Sequence, residues 1–170
     1  MKKFKITFLD RDGVINSGKP NNGYIGSLKH FKWVQGAIKA IKFLNEKNYK
    51  VVVVTNQSGV ARGFFKIKDV KKINSYIQKK LNDNDAKIDK FYFCPFHKDG
   101  IIKRYKKRSS LRKPNIGMFR LVQKRWNIDK KNSFMIGDQK TDMEFAKKAK
   151  IKGYLFNQDN LYKFIKSKVF

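Results

Sequence analysis

Apolar residues along the chain follow two rhythms. Phe4 to Leu9 is a short apolar run with a β-branched centre, and Val51 to Val54 is an unbroken run of valines. Such runs mark strands buried on both faces of a parallel sheet. Between them the apolar positions fall at helical spacing. After Gly36 come Ala37, Ala40, Ile41 and Leu44, and later Val70, Ile73, Ile77 and Leu81, each set on one helix face. The alternation continues with a strand over Ile88 to Phe93, a helix marked by Met118, Leu121, Val122 and Trp126, a strand over Ser133 to Ile136 and a helix over Thr141 to Ala149. A fifth strand over Gly153 to Phe156 and a short helix over Leu161 to Lys166 close the pattern. No repeat, linker or low-complexity segment interrupts it, so residues 1–170 read as one domain. The pattern predicts an α/β fold: a Rossmann-like parallel sheet with helices on both faces and no room for a large cap domain. Right-handed crossovers put every strand's carboxyl end on one edge, where ligands of such sheets bind.

Polar clusters follow three of these strands. Asp10-Arg11-Asp12-Gly13 follows the first, Thr55-Asn56-Gln57-Ser58 the second, and Gly137-Asp138 the fourth, with Asp142 a helical turn on. Arg112 and Lys113 precede the third helix. An Asp after a strand is often only a turn or a helix cap. A core, however, has no use for unpaired carboxylates, and these groups share one edge. Their chemistry suits phosphoryl transfer. One carboxylate serves as nucleophile and a second as general acid and base. Magnesium is satisfied by two carboxylates and a carbonyl. A lysine, a hydroxyl and backbone N–H groups hold the phosphoryl oxygens.

Composition narrows the partners. There are 41 Lys and Arg against 13 Asp and Glu, a formal net charge of +28, which draws anions. The basic residues are scattered, as an AT-rich coding sequence would leave them. Phosphorylated small molecules are the expected substrates. Nucleic acid stands behind them as an alternative, because Tyr105 is the lone aromatic in the basic run and strand-binding surfaces interleave several. The apolar run Ile6 to Leu9 is too short for a secretory signal or a membrane span. With Cys94 the single cysteine, a disulfide within the chain is impossible. A cytoplasmic monomer with no membrane contact is the expectation.

The motifs also resemble a known family. Phe8-Leu9-Asp10-Arg11-Asp12-Gly13-Val14-Ile15-Asn16 is similar to the first motif of the haloacid dehalogenase (HAD) superfamily of phosphatases. Val53 to Gly63, reading Val-Val-Thr-Asn-Gln-Ser-Gly-Val-Ala-Arg-Gly, resembles the second motif of its D,D-heptose 1,7-bisphosphate and histidinol phosphatase branch. Arg112-Lys113-Pro114 and Ile136 to Met143 resemble the third and fourth motifs. The resemblance implies Asp10 as nucleophile and Asp12 as acid and base. It implies Mg2+ on Asp10, Asp138 and the carbonyl of Asp12. Thr55 and Lys113 would hold the phosphoryl group, Arg11, Asn56, Gln57, Ser58 and Arg112 would contact substrate, and Asp142 would orient its neighbours. A heptose bisphosphate is the leading substrate on this reading. Histidinol phosphate and polynucleotide 3′-phosphate are the alternatives. A catalytically dead binding module is disfavoured by the intact set of Asp10, Asp12, Lys113 and Asp138.

Two departures stand out. The branch carries a structural zinc on a loop whose ligand positions here are Cys94, Phe96, Ser109 and Leu111. The resemblance therefore implies that this zinc is absent. Residues 98–113 then form a basic loop with no expected secondary structure, predicted to be mobile until a second substrate phosphate meets Arg104, Lys106, Lys107 and Arg108. The second departure is Gln139, where relatives often carry Lys, with Lys140 as a candidate replacement.

Overall fold

The first apolar run forms strand β1 (Ile6–Leu9) of the computed structural model, which describes residues 2–18, 20 and 22–170. Phe4, expected inside the strand, instead makes an isolated bridge to Ile128. There follow β2 (Asn16–Ser17), β3 (Lys32–Trp33), α1 (Ala37–Glu46), β4 (Lys50–Asn56), α2 (Ile67–Asn82), β5 (Lys90–Cys94), α3 (Gly117–Arg125), β6 (Phe134–Gly137), α4 (Lys140–Ala149), β7 (Lys152–Leu155) and α5 (Leu161–Lys168). Each strand and helix expected from the periodicity is present, with ends shifted by at most three residues. The antiparallel pair β2–β3 was not expected. Its two-residue strands are too short to carry a period.

The main sheet runs β5-β4-β1-β6-β7 and every pairing in it is parallel. The chain moves outward from β1 through β4 to β5, then returns to β1's other side for β6 and β7. Strand order therefore reverses between β1 and β6, the place where open α/β sheets form a crevice at their carboxyl ends.

Strand alternation divides the core into two layers. Val51, Val53, Leu9 and Ile136 face α1, α2 and α5, packing on Ala40, Ile41, Leu44, Ile73, Ile77 and Leu161. Val52, Val54, Ile6, Phe8 and Met135 face α3 and α4. Phe8 is the hub of that second layer, with ring centroids 5.3 Å from Phe119 and 6.1 Å from Phe145. All four valines are fully buried, which explains why an unbroken valine run suits this central strand.

Residues 98–113 depart from expectation. They contain a one-turn 3-10 helix at Lys103–Tyr105. The N–H groups of Ile101 and Ile102 both donate to the carbonyl of Ala61, at 2.8 and 3.0 Å. His97 bridges Lys106, and the Phe96 and Tyr105 rings meet at 6.1 Å. The loop is thus tied down by its own backbone and aromatic contacts, where the sequence suggested an unstructured segment. Arg104 lies over Tyr105 and Lys107 over Phe96, an arrangement in which cations cover aromatic faces.

Replacing Phe8 by Ala should remove the hub of the second layer and cost about 3–5 kcal/mol. Urea denaturation at neutral pH reads this directly, and a loss below about 1 kcal/mol would mean that the layer repacks freely.

Candidate active site

β1 ends one residue before Asp10, and the N–H of Asp10 still donates to Ile136 of β6 at 3.0 Å. The sheet ladder therefore carries the carboxylate to the point where strand order reverses. Asp138 arrives from the end of β6 and Asp142 from the first turn of α4. Lys113 comes from the segment before α3 and reaches into the same crevice. Its ammonium is 2.6 Å from Asp142 Oδ1 and 3.3 Å from Asp10 Oδ1, with the side chains of Lys113 and Asp142 each 1% exposed. Asp142 uses its other oxygen to accept the N–H of Gln139 at 3.1 Å. It is both a helix cap and a brace for Lys113, so the cap and the orienting role expected for it are one arrangement.

These charges alter one another. Burial pushes Asp10 up from 3.8 to about 7, while Lys113 pulls it back and Asp142, Asp12 and Asp138 add to the rise. Burial also raises Asp138. For Lys113 burial works against the charge, but Asp10 and Asp142 together outweigh it and hold the ammonium above its usual value. Three carboxylates around one ammonium leave the crevice short of positive charge.

A cation would balance it. One oxygen each of Asp10, Asp138 and Asp142 can lie within 4.8 Å of one another, the one such group among the described residues. Asp138 Oδ1 is buried with no hydrogen-bond partner, and a buried unpaired carboxylate oxygen needs compensation. Gly13 leaves the space open. Its φ is +93°, and a Cβ there would lie 2.2 Å from Asp138 Oδ2, so the turn accepts glycine alone. Oxygen donors, an orphaned carboxylate and a glycine cradle suit a hard divalent ion.

A second net fixes Asp12. Arg11 is fully buried. Its Nε donates to Asp12 Oδ1 at 3.0 Å, Nη1 to Asn74 Oδ1 at 3.2 Å, and Nη2 to the Ile25 carbonyl at 3.3 Å and Gln57 Oε1 at 3.2 Å. Gln57 Nε2 donates to Asp12 Oδ2 and to Thr55 Oγ1, both at 3.0 Å, and Asn16 Nδ2 donates to Asp12 Oδ1 at 3.0 Å. Substrate contact was expected at Arg11 and Gln57. The structure corrects this, because both are engaged within the protein and hold Asp12 and Thr55 in place. The half-buried Asn56 side chain accepts the N–H of Lys113 at 2.9 Å and donates to the carbonyl of Lys113 at 3.1 Å. Ser58 is buried, and its carbonyl accepts the N–H of Arg62. Arg112 is half-buried, and its Nη1 has no partner. Asn16 and Asn74 were missed, although Asn16 sits in the quoted first motif, four residues after Asp12.

Comparison with known proteins shows the family. The model of the polynucleotide kinase 3 phosphatase family matches residues 5–162. The D-glycero-β-D-manno-heptose-1,7-bisphosphate 7-phosphatase of Rhodopseudomonas palustris is 42% identical over 159 residues, covering 94% of this chain and 87% of that protein. The protein of the same name from Escherichia coli K12 is 35% identical over 150 residues, 88% and 77% of the two chains. A solved D,D-heptose 1,7-bisphosphate phosphatase from B. bronchiseptica, complexed with magnesium and phosphate, superposes with a TM-score of 0.80 at 28% identity, over 94% of this chain and 84% of that one. The chain belongs to this family of HAD-type phosphatases.

As a HAD-type phosphatase the protein is a phosphoric monoester hydrolase, and two of its departures can be judged on structure. Of the four zinc positions, only Cys94 offers a metal donor. Phe96 packs on Tyr105 and Leu111 lies against the core. Burial holds the Cys94 thiol above its usual value, which opposes the thiolate that zinc requires. The residues present do not fit a structural zinc. At the other departure, Gln139 Nε2 donates to Asp138 Oδ2 at 3.1 Å. Lys140 does not replace the missing lysine, since it points toward Glu144 at 3.9 Å with its side chain 89% exposed.

The raised Asp10 value has a thermodynamic consequence. Between 3.8 and about 7 the folded protein holds a proton that the unfolded chain has released. Raising pH through that window therefore favours unfolding. In magnesium-free buffer the melting temperature of the parent, relative to that of Asp10→Asn, should fall from pH 5 to pH 8. Calorimetry of the two proteins checks it. A difference that stays flat or rises would mean that Asp10 is already ionised at pH 5.

Proposed function

We propose that this phosphatase is magnesium-dependent, forms an aspartyl-phosphate on Asp10, and removes the 7-phosphate of a D-glycero-D-manno-heptose 1,7-bisphosphate. The observation that supports the mechanism is the convergence of Asp10, Lys113, Asp138 and Asp142 at the strand-order reversal. The names of the curated relatives, at 35–42% identity, support the substrate. The polynucleotide reading has the family model's description and the net charge behind it. The identity to sugar-phosphate enzymes outweighs both.

Asp10 and Asp138, with the carbonyl of Asp12, would hold the ion. When bound, it neutralises the repulsion between an anionic nucleophile and an anionic phosphate. Asp10 attacks phosphorus, and the bond from phosphorus to the sugar oxygen breaks. Asp12 gives its proton to that leaving oxygen. Asp12 then takes a proton from water, whose oxygen attacks the phosphoryl group and restores Asp10 with release of phosphate. Lys113 and the hydroxyl of Thr55 hold the phosphoryl oxygens as charge moves onto them. Arg11 and Gln57 keep Asp12 on the side of the leaving group, and Asn56 keeps the Lys113 backbone in place. Arg11 is thus a positioning residue.

Three substrates decide the specificity: the heptose 1,7-bisphosphate, histidinol phosphate and a 3′-phosphorylated oligonucleotide, each with magnesium. The bisphosphate should exceed the others in kcat/KM by at least tenfold, and a preference for either of the other two would overturn the assignment. Asp10→Asn should fold normally and lose turnover by at least 10³-fold, since it removes the nucleophile. Asp138→Ala should raise the magnesium concentration needed for half-maximal rate. Full activity after exhaustive chelation would contradict the proposed role of the ion.

A further inference from the structure

The crevice accounts for few of the 41 Lys and Arg residues. A set of the others gathers at the opposite end of the sheet, where the strands begin. Lys5 precedes β1, and Lys152 opens β7 in register with Phe134 at the start of β6. Lys47 closes α1, and Lys166 lies in the last turn of α5. Each of these four lysines stands over an aromatic ring. Lys5 is 4.6 Å from the centre of Tyr49 and Lys152 is 4.7 Å from that of Tyr154. Lys47 and Lys166 share Phe43, at 5.6 and 5.0 Å. The rings also meet one another. Phe170 lies 5.3 Å from Phe43 and 5.9 Å from Tyr49, and Phe134 joins Tyr49 to Tyr154 at 5.3 and 5.6 Å. A continuous belt of rings therefore carries a row of ammonium groups.

None of the four lysines forms an ion pair among the described residues. The acids around them are Glu46, exposed at the end of α1, Asp89, which holds Lys50 at 2.9 Å, and Asp129, which accepts from Asn132 at 2.8 Å. The surface is left with an excess of positive charge that attracts polyanions. An ammonium over a ring is a point charge on a flexible stem, able to swing to a phosphate. In swinging it uncovers the aromatic face. Phosphate contacts beside aromatic faces are what a single strand of nucleic acid requires, and the basic run around Tyr105 lacks that interleaving. A lipid surface suits the belt less well. Phe43, Tyr49 and Tyr154 are half-buried and Phe134 is buried, which leaves Phe170, 52% exposed, as the one ring of the belt free to enter a bilayer. We propose that Lys5, Lys47, Lys152 and Lys166, with the rings beneath them and Phe170, form a face that binds single-stranded nucleic acid without regard to sequence. Along β1, Lys5 stands roughly 17 Å from Asp10 at about 3.3 Å per residue. The strand is thus bound away from the crevice as a partner, and the sugar-phosphate reading of the reaction does not depend on it.

Fluorescence anisotropy of a labelled oligothymidine, titrated with the intact chain, tests the face. Two variants of equal net charge are compared with the parent. One changes Lys5, Lys47, Lys152 and Lys166 to Gln. The control changes Lys71, Lys72, Lys147 and Lys148, exposed on α2 and α4, to Gln. The first set should weaken binding by at least about tenfold and flatten its dependence on salt, and the control by less than about threefold. Equal losses would overturn the face and assign the binding to the protein's general field. An oligonucleotide that the parent does not bind would overturn it outright. Phe170→Ala tests the rings. It should weaken the single strand by at least about fivefold and leave a duplex of the same length within about twofold. Equal changes for both would overturn the proposal, because stacking would then play no part. Tighter binding of the parent to phosphatidylglycerol vesicles than to the oligonucleotide would also overturn it, in favour of lipid. Should the fourfold variant fail to fold, the three changes without Lys5, which donates to the carbonyl of Lys47 at 2.8 Å, give the same comparison. Phosphatase turnover should be unchanged in every variant, so a failure here is distinct from a failure of the reaction proposed above.

Discussion

The ammonium of Lys113 lies between Asp142 and Asp10 with almost no water around it. Without that ammonium, Asp10 and Asp142 would be buried carboxylates close to each other and to Asp138 with no cation among them, a costly arrangement. Without the carboxylates, a buried lysine would lose its proton. The ammonium and the acids offset one another, and the rest of the crevice is arranged to keep them there. Asn56 clamps the Lys113 backbone from the end of β4. The cap of α4 orients Asp142, and the ladder between β1 and β6 delivers Asp10. Three strands and two segments before helices thus meet at one charge.

The constraint explains the division of labour between neighbouring residues. Asp10 and Asp12 are two positions apart yet live in different nets. Asp10 answers to Lys113 and to the acids around it, and Asp12 to Arg11, Gln57 and Asn16. Arg11, between them in sequence, points the other way and is sealed in the interior, where its fork ties Asp12 to α2 and to the carbonyl of Ile25. A nucleophile and a proton donor need different surroundings, and the tight turn at Gly13 allows both within three residues.

Much of this was legible in the chain. A valine run can only be a central strand here, and the helical spacing of Ala37 to Leu44 and Val70 to Leu81 leaves little choice of face. Asp10, Asp12, Lys113, Asp138 and Asp142 stood out because acids and a lysine gathered on one edge of the sheet have no place in a core. What stayed hidden depends on which way a side chain turns. Arg11 and Gln57 look like substrate contacts in a linear motif, since nothing in it says that Arg11 reaches Asn74 and the carbonyl of Ile25, or that Gln57 reaches Asp12 and Thr55. Residues 98–113 looked unstructured because their anchors are a carbonyl at Ala61 and two aromatic rings, none of which leaves a period.

The central claim is that the buried charge balance makes Asp10 the group that takes the phosphate. The most direct test mixes enzyme, magnesium and substrate, quenches within milliseconds, and reduces the product with borohydride, which converts an aspartyl-phosphate to homoserine. Peptide mass spectrometry should then find homoserine at position 10 in the parent and none in Asp10→Asn. Turnover with an unmodified Asp10 peptide, or homoserine at another aspartate, would contradict the claim.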